Sequence, residues 1–196
     1  MRLGFLATRN GSSFRAIIES VGSGLLKVEP KLLVTNTRAA AALEFARTKG
    51  IDAMVIPTQS DPASADRRLA QVMAEAKVDL IILSGYLRRL GPITLSRFQN
   101  RILNVHPGPL PKFGGEGMYG RAVHEAVLRA RLDFTEITIH LVDEHYDHGA
   151  IMVRSKVAII PGETAEDLEG RVTALEPDLF VETLRRIVSG ELRLPD

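Results

Sequence analysis

The chain has no cysteine among its 196 residues, which excludes disulfides, thiolate nucleophiles and thiolate metal sites. It also lacks an excess of either charge. Lys and Arg number 25 against 24 Asp and Glu, a net charge of +1, which gives no general pull on nucleic acid or a membrane surface. No apolar run approaches the ~18 residues of a membrane span. The first one, Leu3 to Ala7, is too short for a signal peptide. Internal repeats, low-complexity tracts and an interdomain linker are absent as well. The expectation is a soluble, cytoplasmic protein without nucleic-acid or membrane partners.

What is present suits a globular core. Apolar residues make up 45% and charged residues 25% of the chain, close to globular averages. Short apolar runs alternate with helical spacing: Leu3–Ala7, then Phe14, Ile17, Ile18 and Val21; Lys31–Val34, then Arg38–Thr48, with Gly50 as its stop. Ala53–Ile56, a helix opened by Asp61-Pro62, the run Val78–Leu83, a short helix from Pro92, and Ile102–Val105 continue the pattern. Runs apolar on both faces mark buried parallel strands, and the alternation predicts a doubly wound α/β sheet. Residues 107–120 hold three prolines and five glycines, too many for regular structure. Beyond them the spacing predicts a helix over Ala122–Ala130, a half-exposed strand over Thr135–Val142, a strand over Ile151–Ile159 and a closing helix from Thr164.

Three segments could carry chemistry. Asn10-Gly11-Ser12-Ser13 stands between strand and helix, where open N–H groups favour a phosphate; an ordinary serine N-cap fits equally well. Asn104 and His106 are two apart at a strand's C-terminal end, so they project to one side and could hydrogen-bond an oxyanion. Asp143 to Gly149 packs three carboxylates, a phenol and two imidazoles into seven residues. That segment could hold a general acid or base or metal ligands, but a polar hairpin turn relaxed by Gly149 is the default, and no metal is expected. His140, on the half-exposed strand, reads as structural, and His124 as a surface residue.

Taken together, these segments resemble the glycinamide ribonucleotide formyltransferase family of folate-dependent formyltransferases, over nearly the whole chain. The carriers are the first loop, Asn36, Ser84–Leu90, Asn104-Val105-His106-Pro107 with Leu110–Phe113, and Glu176–Phe180. Phe113–Gly120 with Val123-His124, and Thr138-Ile139-His140 with Asp143–Gly149, resemble a subgroup found in plants and some bacteria. Arg9 stands where the family has glycine and Ser13 where it has asparagine, and Pro62 lies near the place of a usual arginine.

The resemblance implies one formyltransferase domain over residues 1–196, with a phosphate-binding half (about 1–100) and a folate-binding, catalytic half (about 101–196). It implies a Rossmann-like, mainly parallel sheet with antiparallel C-terminal strands. It further implies 10-formyltetrahydrofolate as co-substrate, phosphoribosylglycinamide as acceptor in purine synthesis, no metal, and a monomer or homodimer. Asn104, His106 and Asp147 would be catalytic, the carboxylate raising the histidine's pKa. Gly11, Ser12, Ser13 and Glu176 would hold the ribonucleotide. Leu87, Arg88, Arg89, Leu90, Asn104, Val142, Asp143, Glu144 and Asp147 would hold the folate. The alternatives are another amine acceptor, a formyl-folate hydrolase, and a non-catalytic folate- or nucleotide-binding module.

Overall fold

The computed structural model describes residues 1–196. Seven strands form one sheet: β1 (Arg2–Ala7), β2 (Glu29–Thr35), β3 (Asp52–Val55), β4 (Leu80–Leu83), β5 (Ile102–His106), β6 (Phe134–Leu141) and β7 (Ile151–Ala158). Their order is β3-β2-β1-β4-β5-β6-β7. β1 to β5 are parallel, while β6 and β7 run antiparallel to their neighbours. Six helices connect and cover the sheet: α1 (Ser12–Gly22), α2 (Ala41–Thr48), α3 (Pro62–Glu75), α4 (Pro92–Arg97), α5 (Arg121–Arg129) and α6 (Ala165–Ser189).

The apolar runs explain this layering. In β4, Leu80 and Ile82 pack into one core with α1, α2 and α6, while Ile81 and Leu83 pack into another with α3. β1 and β2 divide in the same way, because successive strand side chains point to opposite faces. Both faces are covered, so both must be apolar. Gly4 is part of this fit: a Cβ there would lie 2.5 Å from Met73 Sδ. A third core joins α5 and the start of α6 to β6 and β7 through Val123, Val127, Ile137, Val157, Leu168 and Val172. The strand order reverses between β1 and β4, the switch point at which open α/β sheets place their ligands.

β6 departs from the expectation of a half-exposed strand. Thr135, Thr138 and His140 are buried alongside Ile137, Ile139 and Leu141. The proline- and glycine-rich segment after β5 folds over the polar face, and Thr138 Oγ1 donates to the carbonyl of Gly108 at 2.9 Å. His124 also turns inward, 1% exposed, contrary to its surface reading. β7 is the sheet edge, and its outward Arg154 and Lys156 discourage pairing with another chain.

Candidate active site

β5 ends at the switch-point side of the sheet with Asn104 and His106 side by side. Antiparallel pairing sets His140 of β6 directly opposite Asn104. The hydrogen bonds assign the tautomers. His140 Nδ1–H donates to the carbonyl of Leu141 at 2.8 Å, so its Nε2 accepts from Asn104 Nδ2 at 3.1 Å. This fixes the Asn104 amide with its nitrogen toward His140. His106 Nε2–H donates to the carbonyl of Phe113 at 2.7 Å, leaving Nδ1 facing Asp147 Oδ2 at 3.4 Å. Asp147 Oδ1 stands 3.5 Å from His140 Nε2, and Oδ2 accepts the Gly115 N–H at 3.0 Å. Asn104 and His106 share one side as their strand spacing implies, and Asp147 meets them as the family resemblance implies. His140, 2% exposed, joins them. Sequence reasoning missed it, because nothing local showed that the polar face of β6 would be covered.

The electrostatics correct one expectation. Burial pushes the His106 pKa down more strongly than Asp147 and the Phe113 carbonyl push it up, so it lies below its ordinary 6.5. Burial of Asp147 acts to raise its pKa. The neighbouring His140 and His106 rings and the Gly115 N–H together outweigh that, and the group lies below its ordinary 3.8. The resting pair is therefore a neutral imidazole beside a carboxylate. A proton arriving at Nδ1 has an acceptor already in place.

The Asp143–Gly149 segment is not relaxed by Gly149. Asp147 itself takes the left-handed conformation, φ 55°. Gly149 is needed for a close approach, because a Cβ there would lie 1.9 Å from the Leu141 carbonyl oxygen.

Beside this cluster lies a cavity of about 1250 Å³ between the loop after β4 and the loop after β6. Arg88, Arg89, Leu90, Val142, Asp143 and Glu144 line it; Leu87 is exposed outside it, and Asn104 and Asp147 are not among its lining residues. Arg89 donates to the carbonyl of Glu144 at 2.8 Å and lies 5.7 Å from the Tyr146 ring centroid, tying the two walls together.

Across the switch point, α1 starts without a side-chain cap, and Gly11 at its N-cap has φ 66°. The Phe14 N–H is satisfied by Ser84 Oγ at 2.9 Å, whereas the N–H groups of Ser12 and Ser13 have no protein acceptor. The open groups belong to the backbone; the Ser13 residue is itself buried. Thr8 Oγ1 donates to Asn36 Oδ1 and accepts the Leu87 N–H, joining the loops after β1, β2 and β4.

Glu176 is half-buried on α6 and hydrogen-bonds to none of the other candidate residues. Burial pushes its carboxyl up to about 7. The native chain thus holds a proton there that the unfolded chain has released. The stability is full below the ordinary 4.5 and is lost as pH rises through 7. Glu176→Gln should match the parent in thermal unfolding at pH 4 and exceed it by about 1–3 kcal/mol at pH 8. An equal gain at both pH values would contradict a protonated Glu176.

Residues 1–184 match the formyl transferase family. The chain is 36% identical to the chloroplastic phosphoribosylglycinamide formyltransferase of Arabidopsis thaliana, over 98% of its own length and 67% of the relative's. It is 30% identical to the phosphoribosylglycinamide formyltransferase of Haemophilus influenzae, over 100% of its length and 91% of that protein's. The crystal structure of glycinamide ribonucleotide transformylase 1 from Symbiobacterium toebii superposes with a TM-score of 0.88 at 30% identity, covering 100% of this chain and 94% of that one. No helix is long and apolar enough to cross a membrane. Fold, site geometry and these likenesses agree: the chain belongs to the formyl transferase family.

Proposed function

We propose that this protein transfers the formyl group of 10-formyltetrahydrofolate to the amine of 5'-phosphoribosylglycinamide, a step of purine synthesis. The observation that carries the reading is the Asn104–His106–Asp147 cluster, set between a cavity of folate size and a helix end with two open N–H groups. The names of the relatives support the same substrates.

The pterin occupies the cavity between Arg88–Leu90 and Val142–Glu144. The ribose phosphate rests on the Ser12 and Ser13 N–H groups, which the α1 dipole makes favourable for an anion; Arg9 is exposed on the same loop and adds positive charge. Glu176 faces the glycinamide or ribose end. The amine nitrogen attacks the formyl carbon, and the carbonyl oxygen becomes an oxyanion held by Asn104 and His106. The C–N10 bond then breaks. The amine's proton passes through water and Asp147 to His106 Nδ1, whose positive charge Asp147 stabilises while it exists, and His106 then delivers that proton to N10. Neither proton transfer needs a metal.

The test is a spectroscopic assay with 10-formyltetrahydrofolate, with and without the ribonucleotide. Folate product formed only when the ribonucleotide is present is the expected result. Folate release without it would make the protein a hydrolase. No reaction from folded protein in either case would overturn the acceptor assignment and turn attention to other amines or to a non-catalytic binding role.

A further inference from the structure

The segment after β6 carries a second group of side chains that the reaction above does not need. Asp143, His145 and His148 each offer one ligand atom, and the three atoms lie within 4.8 Å of one another. We propose that these three residues bind a late first-row divalent cation of the zinc, cobalt or nickel type.

The backbone sets up the convergence. Asp143 Oδ1 accepts the His145 N–H at 2.8 Å, which orients the carboxylate and leaves Oδ2 outward. The left-handed Asp147 and the tight approach of Gly149 to Leu141 turn the chain back, and His148 Nδ1 arrives 2.8 Å from Asp143 Oδ2. The His145 and His148 rings meet edge to face with centroids 5.5 Å apart. Their side chains are 68% and 72% exposed, so both rings are open to solvent.

Two imidazole nitrogens with one carboxylate oxygen match the preference of zinc-type ions; calcium and magnesium take oxygen sets. Metal–ligand bonds of about 2.0–2.2 Å place neighbouring ligand atoms roughly 3–3.5 Å apart, so the rings close by about 1 Å on binding. The exposed side of the site leaves water in the remaining positions, which makes the ion exchangeable. All three residues also line the large cavity, and Asp147 follows His145 by two residues. A bound ion therefore braces the segment that carries the general base, and it competes for Asp143 with whatever enters the cavity.

The experiment uses untagged, chelator-stripped protein without folate, so its outcome is independent of the proposed reaction. Cobalt is titrated by its visible absorption and zinc by calorimetry. One equivalent per chain should bind with micromolar affinity or tighter, zinc should displace cobalt, and excess magnesium should not. His145→Ala and His148→Ala should each weaken binding about tenfold or more, and the double variant should abolish it while its thermal unfolding in chelator matches the parent. Absence of saturable binding below millimolar metal would overturn the proposal. Unchanged affinity in the double variant would do so as well.

Discussion

His106→Ala will lower kcat by about 10³-fold or more, with KM for the folate changed far less. The side chain is asked to do two things in the transition state, share a proton through Nδ1 and help hold the oxyanion. Removing a single oxyanion donor costs about 10²–10³ in kcat, and general acid–base help is worth about 10²–10⁴. Neither role binds the ground state strongly, so the loss falls on kcat. The fold should survive. The imidazole is 3% exposed and bonds the Phe113 carbonyl, so truncation leaves that acceptor unpartnered at a cost of about 1–3 kcal/mol, short of the whole stability of a domain. Steady-state kinetics alongside circular dichroism and urea unfolding separate the two effects. A folded variant that keeps most of its activity would remove His106 from the reaction.

Gly149→Ala should damage both stability and turnover. The new Cβ would meet the Leu141 carbonyl oxygen at 1.9 Å and its carbon at 2.7 Å, backbone atoms that no rotamer change can move aside. Leu141 is held by its N–H to the Ala150 carbonyl at 2.9 Å, at the point where the β6–β7 register shifts, so the loop has to lift instead. Destabilisation of about 2–4 kcal/mol is expected from such a clash. Asp147, two residues earlier, moves with the loop, and a misplacement near 1 Å can cost about 10²-fold in rate. Gly170→Ala is the control. That glycine lies within α6 with nothing near a new Cβ, so the change should stabilise by about 0.5–1 kcal/mol and leave kcat alone. Parent-like urea unfolding of Gly149→Ala would show that the close approach does not constrain the loop.

These two residues also mark where sequence reading stops. The parallel strands were legible because a strand covered on both faces must be apolar on both, as Leu80 to Leu83 are. Asn104 and His106 were legible because strand spacing fixes their common side whatever surrounds them. His140 and His124 were not. Whether an alternating polar residue meets water or another segment depends on where residues 107–120 fold, and no local pattern states that. In sequence Gly149 has the marks of a turn glycine, whereas its actual constraint is an approach to Leu141, eight positions earlier. The pKa of His106 differs from the sequence expectation for a related reason. The partner carboxylate could be named from sequence, but the burial that outweighs it belongs to the assembled core. The open N–H groups of α1 were anticipated, but the burial of Ser13 was not.

The 25 residues of α6 span roughly 37 Å at 1.5 Å per residue. The first turns of the helix belong to the core under β6 and β7 through Leu168 and Val172. Its later turns belong to the core over β1 and β4 through Phe180, Val181 and Leu184. One helix, interrupted only at Pro177, thus ties the β6–β7 edge to the middle of the sheet, and with it the two proposed substrate sides. In the proposed reaction the segments that govern water at the site are short ones, Phe113–Gly120 above His106 and Asp143–His148 beside it. Backbone amides in the buried turns of α6 on either side of Pro177 should be among the slowest to exchange with solvent, whereas those two segments should exchange fast and slow down when substrate fills the cleft.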